Sequence, residues 1–478
     1  MDDSAKRVQA VLGEIAEIEL GDRRLESRAR RIAERLATEP ALGFPQAMET
    51  AREIEGFYRF IGNERVTSEA ISEPHTQATV DRVVERGIAI AVHDTTEFRF
   101  GGQGREGLGA VTRAGNMFLG HFCLVLSADG SRDPLGVLAT KTWTRSTTTP
   151  SSLRKNGVDY KATRSMPSEQ DRWLEVIEQA EARIAGKAQL IHVMDSESDD
   201  YDLIASIHTS GRRFVSRACS NRRLDTLATG SLPGEKLKEF AGRAEIVAER
   251  QVRLKRRKRA IAGGTANRVL PREERNATLT FSATKVAIRR PQHARKTTDE
   301  TIVINVVAVR EKNPPEDMEP VDWLLFTSEP IDTEQQILAI VDIYRARWTI
   351  EEYFKVLKTG CAFEQRQLES KTTILKALAL LTPIAWVLLR MRAASRRPGR
   401  LPIGAVLSPA QITILKKRTG IPLRKNSSAA EAYLAVAQLG GHIKNNGAPG
   451  WQVLNRGYIK LLTLEAGFKM ASGDTCDQ

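Results

Sequence analysis

Two short apolar runs end on a carboxylate: Gly87-Ile-Ala-Ile-Ala-Val-His-Asp94 and Gln189-Leu-Ile-His-Val-Met-Asp195. Runs of this length without a polar face predict strands buried on both sides of a sheet. Met117 to Ala128 and Leu135 to Lys141 predict two further strands, joined at Asp129-Gly130, a hairpin turn signal. Ser168 to Ile184 carries helical periodicity, with Ser168 as the cap and Trp173, Val176, Ile177 and Ala180 facing inward. A short helix over Asp200 to His208 and a strand over Arg213 to Arg217 follow. Strands first, then alternating helix and strand, predict an α/β sheet covered by helices.

The flanks read differently. Residues 1–70 predict helices, and Asp22-Arg23-Arg24-Leu25 opens an arginine-rich one that continues through Arg28, Arg30, Arg31 and Arg35. Helical spacing sets most of these arginines opposite the apolar Leu25, Ile32 and Leu36. That face suits phosphate contact, or a solvated surface balanced by Glu26 and Glu34. Residues from 220 to about 330 predict a β-rich insertion, with alternating stretches at Ala277 to Ile288 and Thr301 to Arg310, closed by Trp323-Leu-Leu-Phe-Thr327. One long helix is predicted from Asp332 to Lys358 and a buried one from Thr372 to Arg392. A linker follows at Ser395-Arg-Arg-Pro-Gly-Arg400, and the last 80 or so residues are helical. The longest apolar run, Ala377 to Leu389, is shorter than the roughly 20 residues a membrane span needs.

Composition adds a partner class. Of 478 residues, 72 are Lys or Arg against 59 Asp or Glu, a net charge of +13 that points to an anionic partner such as nucleic acid. The acidic start MDDSAKRVQA is not a secretory signal, and four scattered cysteines (Cys123, Cys219, Cys361, Cys476) without a CxxC pair suit a reducing cytoplasm and supply no zinc site.

Chemistry enters with Asp94 and Asp195. Two carboxylates gathered at strand ends repel each other unless a divalent ion neutralises them. A pair of Mg²⁺ ions can activate the attacking oxygen and stabilise the leaving one in phosphodiester chemistry. A third carboxylate is available on the long helix, where Tyr344, Arg347, Glu351 and Lys358 project within about 60° of each other at about 100° per residue. Taken alone, that stripe is more simply a solvated face stitched by i,i+4 pairs such as Arg347–Glu351.

The spacing Tyr-(2)-Arg-(3)-Glu-(6)-Lys resembles the signature of the bacterial DDE transposases of insertion-sequence class four. The segments His93-Asp-Thr-Thr96, Asp195-Ser-Glu-Ser-Asp199, Asn313-Pro-Pro, Trp323 to Pro330, Arg347-Trp348 and Lys358-Thr-Gly360 resemble the family's motifs at compatible spacing, as do Phe57-Tyr-Arg-Phe-Ile61 and Leu439-Gly-Gly441.

The resemblance implies a ribonuclease-H-like catalytic core over residues 71–396, between an N-terminal helical DNA-binding domain (1–70) and a C-terminal helical dimerisation domain (397–478). Asp94, Asp195 and Glu351 would be the catalytic metal ligands, for two Mg²⁺ ions or Mn²⁺ in their place. Tyr344, Arg347 and Lys358 would hold the strand near the cut, Trp323 would stack a flipped base, and Arg217 would stand near the same site. Arg23, Arg24 and Arg28 would contact DNA from the N-terminal helices. The partners implied are double-stranded DNA and a second copy in a paired-end complex. Ser196 departs from the arginine of the best-known member, and Glu97 adds an acid near Asp94. Glu97, Glu197, Asp199 and Glu352 neighbour the proposed ligands but are expected not to be ligands themselves. The rival readings are a nuclease that cuts without joining and a domesticated DNA-binding protein without catalysis.

Overall fold

The structure, a computed structural model, describes the chain apart from residues 1–2, 103, 111–115, 145–168, 255–272, 293, 296–298, 317, 396–401, 406, 425, 444–448 and 472–478. The cap predicted at Ser168, a run of five basic residues in the sequence (Lys255-Arg-Arg-Lys-Arg259) and most of the predicted linker lie outside the described residues.

The apolar runs form the centre of one large sheet. Strands β1 (Ile88–Phe100), β2 (Gly109–Ala110), β3 (Asn116–Ser127), β4 (Pro134–Trp143), β5 (Gln189–Met194), β6 (Arg213–Ala218), β7 (Ile246–Leu254), β8 (Arg275–Arg289), β9 (Thr301–Glu311) and β10 (Asp322–Thr327) lie in the order β2-β3-β1-β5-β6-β10-β9-β8-β7, with β4 on β3. The first three long strands are an antiparallel meander, whereas β1, β5 and β6 run parallel. The segment read as an insertion is not a separate sheet: β10 pairs with β6, so β7 to β10 prolong the central one.

Strand β1 also departs from its predicted end. It continues six residues past Asp94, because Phe98 and Phe100 are buried while Arg99 is exposed, an alternation that suits a strand with one wet face. Its parallel pairing with β5 nevertheless stops at Val92–Val193, just short of both aspartates. The two carboxylates therefore sit where neighbouring parallel strands part, the place where α/β sheets collect sites.

Helices cover both faces. We number them α1 (Asp3–Glu14), α2 (Arg23–Thr38), α3 (Ala51–Ile61), α4 (Ser68–Arg86), α5 (Glu169–Ile184), α6 (Tyr201–Thr209), α7 (Glu334–Ala346), α8 (Trp348–Lys355), α9 (Lys371–Ser395), α10 (Pro409–Thr419), α11 (Ala429–Leu439) and α12 (Trp451–Ala471). Asp22 caps α2 by accepting from the Arg24 amide, as its place before the arginine run predicts. Helix α9 is long and apolar enough to cross a membrane, yet it is the buried spine of the molecule, with Trp386, Leu381 and Ile384 in the core.

The N-terminal helices share that core rather than hanging from it, since Val11, Ile32 and Phe57 join the same apolar cluster as β1 and α9. Buried cations fasten them. The Arg366 guanidinium donates to the carbonyls of Leu42, Pro40 (2.5 Å) and Cys361 (2.7 Å), and Lys376 Nζ donates to the carbonyls of Ile61 (3.0 Å) and Asn63 (2.8 Å). Glu14 on α1 accepts from His75 (2.5 Å) and Arg82 (2.7 Å) on α4. Helices α10 to α12 build a cluster of their own around Leu415, Val436 and Leu461.

Behind β1 and β5, on the face covered by α5, lie three buried histidines. Glu181 accepts from His192 Nε2 (2.8 Å), His93 Nε2 meets His192 Nδ1 at 2.9 Å, and His121 Nδ1 meets the Thr95 hydroxyl at 2.9 Å, with its ring against Trp173. Burial holds His121 down at about 3 from its usual 6.5. The unfolded chain therefore takes up a proton near pH 6.5 that the folded chain refuses, so the fold is at full strength above that pH and weakens as pH falls toward about 3. Melting curves recorded from neutral pH downward check this: the melting temperature is expected to drop steadily below about pH 6.5, and a flat profile would count against a neutral His121.

Candidate active site

The site is assembled from three pieces of chain that meet at the parting of β1 and β5. Asp94 lies within β1 with its side chain 12% exposed, and its Oδ1 accepts from the Thr95 amide at 2.8 Å. Asp195 directly follows β5 and caps a tight turn over Ser196–Ser198, accepting from the Glu197 amide at 2.9 Å. Glu351 and Arg347 come from the helix pair that follows β10.

That pair is where the single predicted helix breaks. Helix α7 ends at Ala346, Arg347 is the junction, α8 runs to Lys355, and a π-helical turn covers Val356–Gly360. The break is mild: Arg347 keeps helical dihedrals (φ −49°, ψ −38°), and a short bond from its amide to the Tyr344 carbonyl tightens the turn. Direction is preserved across Arg347, so Tyr344, Arg347 and Glu351 still converge. The π turn is a feature that gathers at functional sites, and it carries Lys358.

Arg347 is the hub. Its Nη1 donates to Asp94 Oδ2 at 3.0 Å and its Nη2 to Glu351 Oε1 at 2.7 Å, with only 15% of the side chain exposed. Burial works against this guanidinium, and the charges of Asp94, Tyr344, Asp195 and Glu351 more than restore it, leaving its pKa above the ordinary value. Burial and then the charge of Asp195 push the Asp94 carboxyl up to about 7, against the pull of Arg347 and of the Thr95 amide. The negative charge gathered here exceeds what one arginine offsets.

Of the remaining predicted residues, Tyr344, Trp323 and Arg217 group around this hub, whereas Lys358 and the three arginines of α2 do not. Tyr344 is buried with its ring 5.5 Å from that of Trp323 in an edge contact, and the Arg217 guanidinium lies 5.8 Å from the Trp323 ring centre. The three meet because β10 pairs with β6, setting Leu325 beside Arg217. Burial raises the Tyr344 pKa, opposed by the charges of Arg217 and Arg347. Trp323 is half-buried, so one part of its ring packs and another is accessible. Lys358 stands further along β1: its Nζ donates to the Glu97 carbonyl at 2.6 Å and lies over the Phe98 ring. Arg23, Arg24 and Arg28 are on α2, away from this cluster. Arg23 and Arg24 are exposed, while the neighbouring Arg31 and Arg35 are engaged with Glu34, Glu49 and Glu53.

The neighbouring acids have other partners. Glu97 pairs with Arg99, Glu352 with Arg392 (3.6 Å), and Asp199, whose side chain is 1% exposed, with Arg222 (2.5 Å). Asp199 also accepts from the amides of Cys219 and Ser220 (2.8 and 2.6 Å), tying the turn after Asp195 to the end of β6. Sequence reasoning did not foresee this bracing; the signal open to it was an arginine (Arg222) shortly after a buried strand. Trp348, beside Arg347, is 54% exposed with Lys355 Nζ 5.3 Å from its ring centre, an aromatic surface at the rim of the site.

Whether a divalent ion fits is a question of donors. Asp94, Asp195 and Glu351 supply only carboxylate oxygens, the set that hard cations such as Mg²⁺ prefer. Burial first, and then the charge of Asp195, disfavours the charged Asp94 carboxylate, a cost that a nearby cation would offset. Among the described residues no three such side chains are yet grouped around one point as ligands of an ion. Arg347, standing between Asp94 and Glu351, takes that place here.

Comparison with known families then supplies the class of chemistry. Residues 8–66 match the family model described as Transposase DNA-binding, and residues 158–388 match the one described as Transposase DDE domain. The second match includes Asp195, Arg217, Trp323, Arg347 and Glu351 and begins after Asp94. The two matches together span more than half of the chain, and they join a DNA-binding unit to an acidic catalytic one: the chain belongs to the DDE-family transposases.

Proposed function

We propose that this transposase works by cut and paste, as a member of insertion-sequence class four similar to the transposase of composite transposon five. The observation that carries the reading is the convergence of Asp94, Glu351 and the charge of Asp195 on one buried arginine at the parting of β1 and β5. The strand order supports a ribonuclease-H-like core, with an antiparallel meander on one side of β1 and the parallel strands β5 and β6 on the other.

Asp94, Asp195 and Glu351 would hold Mg²⁺, in two ions, with Mn²⁺ as a substitute. Bound there, the metal would sharpen an attacking oxygen and stabilise a leaving one. The protein's own residues do the positioning. Arg347, drawn off its carboxylates, presents a planar fork to a phosphate, and Tyr344 and Arg217 steady the same strand. Lys358, held against β1, contacts the backbone on the other side of Asp94. The accessible part of Trp323 stacks an unpaired base, an interaction worth about 1–3 kcal/mol that offsets part of the cost of flipping it.

The order of reaction is that of the family. One strand of the transposon end is hydrolysed, the freed 3′-hydroxyl attacks the opposite strand to form a hairpin, water opens the hairpin, and the 3′-hydroxyl then attacks target DNA. No covalent bond to the protein forms, which agrees with a site built of carboxylates and cations rather than around a free serine. Arg23, Arg24 and Arg28 contact DNA phosphates from α2, helices α10 to α12 join two copies in a paired-end complex, and the protein works in the bacterial cytoplasm. Binding should weaken steeply with salt as counterions are released.

The experiment is to incubate the protein with Mg²⁺, DNA from the flanks of its own gene and a supercoiled target plasmid. Hairpin-ended fragments and flank sequence joined to plasmid are the expected products; cut ends that never join would favour the nuclease reading.

A further inference from the structure

Arg347 occupies two of the three carboxylates at once. Its Nη1 holds Asp94 Oδ2 at 3.0 Å and its Nη2 holds Glu351 Oε1 at 2.7 Å, with Arg347 and Asp94 largely covered and Glu351 part-exposed. The oxygens it binds are among those the proposed function assigns to metal. A guanidinium and a divalent ion cannot take the same lone pairs, and both are drawn by the same negative charge. The two neighbouring cations of the candidate site have other partners. Lys358 is committed to the Glu97 carbonyl and sits near Glu364, and Arg217 lies over Trp323.

We infer that Arg347 is a built-in competitor of the catalytic metal, closing the carboxylate site in the free protein and opening it when a DNA phosphate draws the guanidinium away. The inference rests on Asp94, Asp195 and Glu351 being the metal ligands. Phosphate suits the same fork, since it offers two oxygens in matching geometry, and a divalent ion entering behind it neutralises the acids that the guanidinium leaves. Moving Arg347 from the acids to the strand gives up one Asp94 and one Glu351 oxygen together, because the same group holds both. The preceding turn lets this happen cheaply: Arg347 is a junction between α7 and α8 and not an interior helix residue, so its side chain can swing with little change to either helix. DNA and metal then bind cooperatively, and by linkage each strengthens the other by the same factor. A transposase off its DNA would load metal poorly and so would not nick at random.

Mn²⁺ binding tests this without any catalytic readout. The full-length protein is titrated with Mn²⁺ at mildly alkaline pH, with free ion followed by electron paramagnetic resonance, for the native chain, R347Q, R347K and D195N. R347Q is expected to bind Mn²⁺ about 5- to 150-fold more tightly than the native protein in the absence of DNA, the usual range of a coupling between two sites. R347K, which can reach one carboxylate but not both, is expected to fall between them, and it carries the test if R347Q does not fold. Equal or weaker Mn²⁺ binding in the Arg347 variants overturns the inference. D195N then separates the causes. If it weakens Mn²⁺ binding in the native background, the carboxylates are ligands and only the competition fails. If it changes nothing in any background, the ligand assignment fails and the inference with it.

Discussion

Asp195→Asn is expected to leave a folded protein that binds DNA and cuts it about a thousandfold more slowly. The fold survives because the side chain's structural task is to accept the Glu197 amide bond at the start of a tight turn, and an asparagine carbonyl does the same. The chemistry does not survive, because an amide carries no charge with which to hold a cation near the reacting phosphate. Removing one preorganised electrostatic contact from a transition state costs up to about 4 kcal/mol, which is about three orders of magnitude in rate. Asp94→Asn and Glu351→Gln should behave alike, since each keeps a hydrogen-bond acceptor for Arg347 while losing its charge. Cleavage of labelled end DNA, with binding followed separately by gel shift, reads the two effects apart. Variants that lose binding and cleavage together would point to a structural role for the acids.

The second large effect is expected at an acid that is not a ligand. Asp199→Ala strands the Arg222 guanidinium in a site where it is almost fully covered, and it leaves the Cys219 and Ser220 amides without their acceptor. Breaking a buried ion pair by removing one partner costs about 3–5 kcal/mol. Denaturant unfolding should show a loss of that size, whereas Mn²⁺ affinity per folded molecule should stay close to the native value. The reverse pattern, intact stability with lost metal binding, would make Asp199 a ligand and move the site by one turn of chain.

Asp199 also shows where a sequence stops being informative. Its closeness to Asp195 was legible, but the partner that gives it meaning lies across a strand and a turn, and side-chain pairing at that distance leaves no periodic trace. The parallel strands were legible for the opposite reason: where they pair, Ala89 to Val92 and Leu190 to Val193 are buried on both faces, and apart from His192 these positions are apolar, so the run announces itself. The same cue misplaced the end of β1. An apolar run ends at Asp94, but the strand goes on as Thr-Thr-Glu-Phe-Arg-Phe, where alternation replaces continuous burial. Strands β8 and β9 were readable from such alternation, yet their membership of the central sheet depends on β10 meeting β6, a non-local pairing.

The candidate site was read through spacing. Tyr344, Arg347 and Glu351 were expected on one stripe of an unbroken helix. They do converge, although the helix is interrupted at Arg347, because the interruption keeps helical dihedrals and carries no glycine or proline. Lys358 drifts from that stripe along β1 because the π turn over Val356–Gly360 adds residues to the winding. The direct contact of Arg347 with both Asp94 and Glu351 was beyond reach, since a helical projection places Arg347 beside Glu351 but says nothing of a strand 253 positions earlier.

Three acids, from β1, the residue after β5 and α8, are expected to form one metal site. Crystals of the protein bound to cleaved end DNA and soaked in Mn²⁺, with anomalous scattering recorded at the manganese edge, test it most directly. Mn²⁺ peaks are expected in contact with Asp94, Asp195 and Glu351, with the Arg347 guanidinium moved onto a DNA phosphate. Peaks held by Glu97, Glu197 or Glu352, with Arg347 still clasping Asp94 and Glu351, would contradict it.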